Sequence, residues 1–202
     1  MSMSLPAPRV LGDVLPGGAV RDVVLVAGGA ALTAVAAQVA IPLPFTPVPL
    51  TLQTFAVLLV GASLGTVRGI ASMLLYLAVG VAGAPVFSHG SSGWGGASFG
   101  YVIGFVAAAL LVGKLAERGA TRGPVATAGV MVLGNLAIYA VGVPWLMNVA
   151  HVDLAKALAL GVVPFLVGDA IKVAVAAGLF PAAWRLTGHR NPGDTGDTGD
   201  TV

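Results

Sequence analysis

Residues 69–113 read GIASMLLYLAVGVAGAPVFSHGSSGWGGASFGYVIGFVAAALLVG, which is 45 residues without an Asp, Glu, Lys or Arg. A second uncharged run of 45 residues covers positions 23–67. A membrane hydrocarbon core of about 30 Å is crossed by about 20 helical residues. Because each run is long enough to cross a membrane twice, the sequence predicts a protein with several membrane spans.

The composition of the whole chain agrees with this interpretation. Of its 202 residues, 57% are apolar and 9% are charged, whereas about a quarter are charged in typical globular domains. Backbone groups in lipid must be hydrogen-bonded within the protein, which permits helices or closed barrels, and the alternating segments of a barrel are not seen here. We therefore predict an all-α integral membrane protein with six transmembrane helices, at about residues 23–41, 50–67, 69–87, 98–116, 124–147 and 158–180.

The orientation follows from the distribution of Lys and Arg, which are enriched in cytoplasmic loops. The predicted helices put a single basic residue, Lys156, on one side of the membrane. Lys172 falls inside the sixth predicted helix. The other side receives the eight remaining basic residues: Arg9, Arg21, Arg68, Lys114, Arg118, Arg122, Arg185 and Arg190. We expect a multi-pass protein of the cytoplasmic membrane with both termini inside and the loops after helices 1, 3 and 5 outside.

Three regions are expected along the chain. Residues 1–22 form a cytoplasmic N-terminal segment, residues 23–186 form the six-helix transmembrane domain, and residues 187–202 form a disordered cytoplasmic tail. The tail carries three copies of Gly-Asp-Thr, a low-complexity pattern typical of disorder. A cleaved signal peptide ending near residues 34–36 is another interpretation of the first apolar segment, but five further spans follow it.

Several functional classes are not predicted. The chain has no Cys, and its three His residues have no metal-ligand spacing. No nucleophile motif or phosphate-binding loop is present, so we expect no catalytic residue, no metal and no cofactor. The basic residues lie beside the ends of membrane spans rather than in one patch, which argues against a nucleic-acid partner.

Asp169 and Lys172 lie about halfway along the sixth predicted helix. Ionisable groups at that depth are costly and almost always face the interior of the helix bundle, and an i,i+3 spacing places both on one face. One interpretation is a structural ion pair. Because buried pairs rarely stabilise more than apolar residues would, we favour a ligand site instead.

Other candidate ligand contacts are polar or aromatic residues near membrane ends. The amides have an alternative role in hydrogen bonds between helices, and the aromatic rings have one as anchors at the membrane interface. Trp94 lies in a Gly-rich outer loop that we expect to cover a pocket. The candidates beside the charged pair are Gln53, Tyr76, Phe87, Trp94, Tyr101 and Asn135.

Small residues four apart let a second helix approach closely. Ala30 and Ala34 form such an A-x-x-x-A pair on the first helix. The pair is interpreted either as packing inside the bundle or as a docking surface for a partner protein.

Several motifs appear in order along the chain. Residues 41–54, IPLPFTPVPLTLQT, contain P-V-P-x-T-x-Q-T, and residues 75–87, LYLAVGVAGAPVF, contain L-Y-L-x-x-G-x-x-G-x-P-V-F. Asp169 and Lys172 then form D-x-x-K. Over about residues 27–185 the sequence resembles the BioY family, the biotin-specific substrate-binding components of energy-coupling-factor (ECF) transporters.

The resemblance implies a function. It implies that biotin is captured with high affinity in an outward pocket, and that a transmembrane coupling subunit and two ATPase subunits energise its uptake. It assigns Asp169 and Lys172 to biotin and favours the docking role for Ala30 and Ala34. From charge and hydrogen-bonding capacity, we expect Lys172 to bind the carboxylate and Asp169 to accept from a ureido N–H. A stand-alone proton-coupled transporter is the alternative function.

Overall fold

The computed structural model describes residues 9–187. The predicted C-terminal tail, including His189, lies outside this range except for its first residue, Thr187. The described chain is helical, with one two-stranded antiparallel hairpin of β1, Ala40–Ile41, and β2, Leu50–Thr51. Short 3-10 turns occur at Leu11–Val14, Ser88–Gly90 and Val163–Phe165. The helices are α1, Ala19–Gln38; α2, Gln53–Val81; α3, Phe99–Glu117; α4, Pro124–Ala150; α5, Leu154–Gly161; and α6, Leu166–Leu186.

Helix α2 folds back on itself at Gly65, where the backbone leaves helical geometry with φ 80° and ψ −173°. The side-chain amide of Gln53 donates to the Tyr76 hydroxyl, although 23 residues of straight helix would separate them by about 35 Å. A Cβ added at Gly69 would lie 3.2 Å from the Cα of Gly61. The two arms of α2, residues 53–64 and 66–81, are therefore antiparallel neighbours.

The sixth predicted helix is interrupted, which corrects the expectation of one continuous helix over 158–180. Its apolar stretch begins at Leu154, breaks at Val162–Phe165 and continues as α6 to Leu186. Pro164 has no backbone N–H, so it opens a new helical segment more readily than it continues an old one. Asp169 consequently lies in the first turn of α6 rather than at its middle.

Five stretches are long and apolar enough to cross a membrane among residues 9–187, counting α2 once and α5 with α6 as one. The length and composition of these stretches indicate a protein that crosses the membrane several times. The first of these stretches, α1, is the least buried: 17% of its most apolar window is inside the bundle, against 44–56% for α2, α3 and α4. Helix α1 packs mainly against α2, so most of its surface is left uncovered by the other helices of the described chain.

One end of the bundle, here called the basic end, joins the N-terminal turn, the Gly65 turn and the α3–α4 connection. The Glu117 carboxylate accepts from the Thr66 amide at 2.7 Å, and Arg68 pairs with Asp13 at 2.8 Å and Asp22 at 3.0 Å. Burial acts to raise the pKa of Asp13, but the hydrogen bond and charge of Arg68 outweigh it and hold that pKa below its usual range. In the described residues this end and its flanks carry Arg9, Arg21, Arg68, Lys114, Arg118, Arg122 and Arg185.

The opposite end, here called the loop end, joins three connections: residues 39–52, residues 82–98 and residues 151–165. The Thr46 hydroxyl donates to the Leu160 carbonyl at 2.7 Å, and the Trp145 indole donates to the Gly96 carbonyl at 3.0 Å. Lys156 lies in this region of the chain. The fold thus places the connections rich in Arg and Lys at one end of the bundle and the three connections 39–52, 82–98 and 151–165 at the other. A cavity opens at this second end, the loop end.

Candidate functional site

The cavity at the loop end has a volume of about 180 Å³. Four segments surround it: the Pro-rich connection and start of α2, the 82–98 loop with the start of α3, the α4 helix at Tyr139, and the start of α6. Nine of its 23 lining residues belong to the 82–98 loop, so this loop forms the largest part of its wall. The aromatic and charged lining residues are Phe87, Trp94, Phe99, Tyr101, Phe105, Tyr139, Phe165, Asp169 and Lys172.

Lys172 reaches the cavity wall with all three ammonium protons engaged. Its Nζ donates to the Thr51 carbonyl at 2.9 Å, to the Thr54 hydroxyl at 2.8 Å and to Asp169 Oδ1 at 3.3 Å. An ammonium group has three donors and no acceptor. The group is therefore saturated, and a ligand acceptor can reach it by replacing or sharing one of these partners.

Asp169 is held on both carboxylate oxygens. Oδ1 faces Lys172, and Oδ2 accepts a hydrogen bond from the Tyr139 hydroxyl. The Asp169 and Lys172 side chains are 9% and 10% exposed. The result is a buried pair with no net charge. It presents an acceptor and a donor side by side, on two residues that are one helical turn apart.

Aromatic rings form the apolar part of the wall. Phe87 packs edge-on against Tyr76 at 5.4 Å and against Phe99 at 6.4 Å between ring centroids. Phe99 continues the row to Trp145 at 5.4 Å. Offset and edge-on ring pairs of this kind stabilise a fixed arrangement beyond their buried area, so the wall is pre-formed.

The structure brings together six of the eight predicted ligand contacts: Gln53, Phe87, Trp94, Tyr101, Asp169 and Lys172 line the cavity. Tyr76 lies behind the wall, where it receives the Gln53 amide and donates to the Val86 carbonyl at 3.1 Å. Asn135 is buried on α4 and is not among the residues that line the cavity. Trp94 is 79% exposed, a rim position.

Three groups that hold the charged pair were not selected from the sequence, and neither were the lining residues Phe99, Phe105 and Phe165. The Thr51 carbonyl, the Thr54 hydroxyl and Tyr139 hold the charged pair in place. Thr54 is part of the T-x-Q-T motif, and this membership could have identified it from the sequence. Tyr139 lies one helical turn from the candidate Asn135, and this spacing could have identified it. A backbone carbonyl such as that of Thr51 leaves no signal in side-chain identity.

The proposed docking pair on α1 divides between two environments. Ala30 is 8% exposed and lies in the core, and Ala34 is partly buried against that core. The burial of Ala30 favours packing inside the bundle for this residue, and the docking role of the pair stays a prediction. The exposed small residues on this helix are Ala19, Ala27, Gly28 and Ala31.

Within residues 9–187, no group of three His, Asp or Glu side chains is arranged to hold a metal ion. What the site can do is enclose a mostly apolar small molecule with one polar head. Small-molecule pockets usually have this character, an apolar wall with a few placed polar groups.

Comparisons with known proteins agree with this geometry. The sequence model of the BioY family matches residues 6–189. The probable biotin transporter BioY of Pyrococcus horikoshii is 40% identical over 159 residues, covering 77% of this chain and 91% of that protein. The biotin transporter BioY of Thermotoga maritima is 39% identical over 150 residues, covering 73% of this chain and 86% of that protein.

A solved structure has the same fold. It is a crystal structure of the S-component for biotin from an ECF-type ABC transporter, which matches with a TM-score of 0.72 and 27% identity over 83% of this chain and 90% of that one. The resemblance that the motifs indicated is therefore confirmed: this chain belongs to the BioY family.

Proposed function

We propose that the chain captures biotin from outside the cell and takes it up as the S-component of an ECF-type transporter. The observation that carries this proposal is the buried Asp169–Lys172 pair in the wall of an aromatic cavity, in a chain of the BioY family. Relatives of this chain are named as transporters, and the function is accordingly transport rather than catalysis.

The charged pair suits the ureido ring of biotin better than its carboxylate. A ureido group has N–H donors next to a carbonyl acceptor, which complements a carboxylate next to an ammonium group. A ligand carboxylate placed on Lys172 would lie beside Asp169, whose Oδ1 is 3.3 Å from the same Nζ. We therefore propose that Asp169 accepts from a ureido N–H and that Lys172 donates to the ureido oxygen, in place of the ligand carboxylate expected for Lys172 from the sequence.

The valerate chain then extends toward the rim. Phe87, Phe99 and Tyr101 offer it apolar contacts along the cavity wall. The rim carries hydroxyl groups on Ser88, Ser91 and Ser92, where a carboxylate keeps contact with water and hydrogen-bond donors. Burying the neutral head and leaving the charge near solvent avoids the cost of desolvating an anion.

The proposed assembly follows the family. A transmembrane coupling subunit and two ATPase subunits release biotin on the cytoplasmic side. We propose six crossings, formed by α1, the two arms of α2, α3, α4 and the α5–α6 segment, with residues 23–186 as the transmembrane domain. The basic end is assigned to the cytoplasm because Lys and Arg accumulate there, and this puts residues 1–22 and the C-terminal tail inside.

Isothermal titration in detergent tests the first step. The purified chain should bind one biotin per molecule without ATP, and absence of both heat and co-purified biotin would contradict the proposal. Uptake assays in cells with and without the ATPase subunits test the second step. Full uptake without any ATPase, with a rate that follows the proton gradient, would favour the stand-alone proton-coupled transporter.

A further inference from the structure

The 82–98 loop is tied to the rest of the molecule at a few defined points. The Gly93 amide donates to the Gly80 carbonyl at 2.8 Å, and the Trp145 indole donates to Gly96 at the far end of the loop. Phe87 precedes both of these points and enters the cavity wall, and the Tyr76 hydroxyl donates to the neighbouring Val86 carbonyl at 3.1 Å. The part of the loop that covers the cavity depends on what holds residues 86–90 in place.

Gln38, the last residue of α1, makes that attachment. Its side-chain Nε2 lies 3.2 Å from the Phe87 carbonyl and 3.4 Å from the Val86 carbonyl, and its Oε1 accepts from the Gly90 amide at 3.1 Å. The same Nε2 also contacts the Ala34 carbonyl of its own helix at 3.1 Å. Within residues 9–187, the hydrogen bonds between α1 and the 82–98 loop all pass through this one side chain.

The residue type suits the position. The glutamine side-chain amide has both a hydrogen-bond donor and an acceptor. The loop offers the Val86 and Phe87 carbonyls to the donor and the Gly90 N–H to the acceptor. The turn is also conformationally unusual, because His89 and Gly90 have φ values of 57° and 66°. The Gly90 amide already donates to the Phe87 carbonyl inside the turn at 3.1 Å. Gln38 Oε1 adds a second acceptor from outside the loop, which favours this turn over other conformations of a Gly-rich segment.

We infer that Gln38 is the positioning residue that holds the 82–98 loop closed over the cavity and so sets how long a ligand stays bound. The inference rests on the proposed function for the identity of that ligand. It also makes the loop and the end of α1 move together, since the hydrogen bonds span the two elements. Gln38 itself does not line the cavity, so its effect acts through Phe87 and the turn at Ser88–Gly90.

The test replaces Gln38 by Met, which keeps the length of the side chain and removes its hydrogen bonds. Hydrogen exchange of the purified chain without ligand should quicken in residues 86–93 and stay unchanged in the arms of α2. With radiolabelled biotin, the dissociation rate should rise roughly tenfold, as expected for losing one or two net hydrogen bonds from the closed state. Val35→Met is the matched control, because Val35 is exposed on the same helix.

Three results would overturn the inference. These are unchanged exchange in residues 86–93, faster exchange spread equally over α1 and α2, or a dissociation rate equal to that of the wild type. Failure of the wild-type chain to bind biotin would overturn the proposed function instead. The exchange measurement needs no ligand, so in that case it alone decides the role of Gln38.

Discussion

At the scale of single residues, the cavity is organised by a charged pair with every hydrogen-bonding atom in use. Lys172 has three acceptors within 3.3 Å, and Asp169 has a donor on each oxygen. Buried charges are tolerated when they are paired and fully hydrogen-bonded. The protein thus meets most of the desolvation cost of the site before a ligand arrives, which favours tight binding of a ligand with a matching neutral head.

Replacing Lys172 by Ala should lower biotin affinity by at least roughly 100-fold, because breaking a buried pair typically costs about 3–5 kcal/mol. Asp169→Asn keeps shape and hydrogen-bonding capacity, so its loss should be smaller. If Lys172 binds the ureido oxygen, biotin amide should lose as much affinity as biotin on Lys172→Ala. The cationic analogue 2-iminobiotin should lose much less, because it no longer faces an ammonium group.

Titration calorimetry of the three ligands against wild type and variant checks this prediction, and melting of the unliganded variant reports any loss of folding. A much greater loss for biotin than for its amide would return the carboxylate to Lys172.

At the scale of elements, the membrane helices were predictable because their signal is local. Long uncharged runs and the prolines at 42, 44, 47 and 49 indicate where helices lie and where α1 ends. The turn at Gly65 and the break at Val162–Phe165 were harder to place, since a glycine or proline in an apolar run is also compatible with a continuous helix. The pairing of Asp169 with Lys172 is a local i,i+3 feature, whereas the contributions of Thr51 and Tyr139 depend on contacts 30 or more residues apart.

Gly65 carries a prediction at this scale. Its φ of 80° and ψ of −173° lie in a region that essentially only glycine adopts and that costs another residue about 1–3 kcal/mol. A Cβ there would also lie 2.7 Å from the Glu117 carboxylate. Gly65→Ala should therefore lower the melting temperature of the purified protein, followed by tryptophan fluorescence. Gly28→Ala is the control, because no atom lies within 4 Å of its added Cβ; equal melting temperatures for the two variants would contradict the turn.

At the scale of the whole molecule, the two ends differ in charge and in task. The basic end is closed by ion pairs and short connections, and the loop end holds the cavity. Because the chain has no Cys, single cysteines report membrane sidedness cleanly. Ser91→Cys should react with a membrane-impermeant maleimide added to intact cells, and Arg118→Cys should react after the membrane is opened; the reverse pattern would contradict the proposed orientation.

The outer face of α1 is where we expect the coupling subunit to dock. Exposed Ala27 and Ala31 are four residues apart. On the same helix, Leu25 and Leu32 line a groove together with Leu59 of α2 and Leu179 of α6. Small residues at this spacing let a partner helix approach closely. Ala31→Leu should therefore leave biotin affinity and melting temperature unchanged while reducing co-purification of the coupling subunit and uptake.

Ala30→Leu is the matched inward variant on the same helix. It places the added bulk in the core, where overpacking costs about 1–3 kcal/mol, so it should lower the melting temperature itself. Titration calorimetry, thermal melting and pull-down of the coupling subunit separate the two effects. The opposite outcome would be unchanged uptake in Ala31→Leu, with normal stability but no coupling-subunit binding in Ala30→Leu. It would move the docking surface to the predicted Ala30–Ala34 stripe. It would also imply that α1 rotates when it binds its partner.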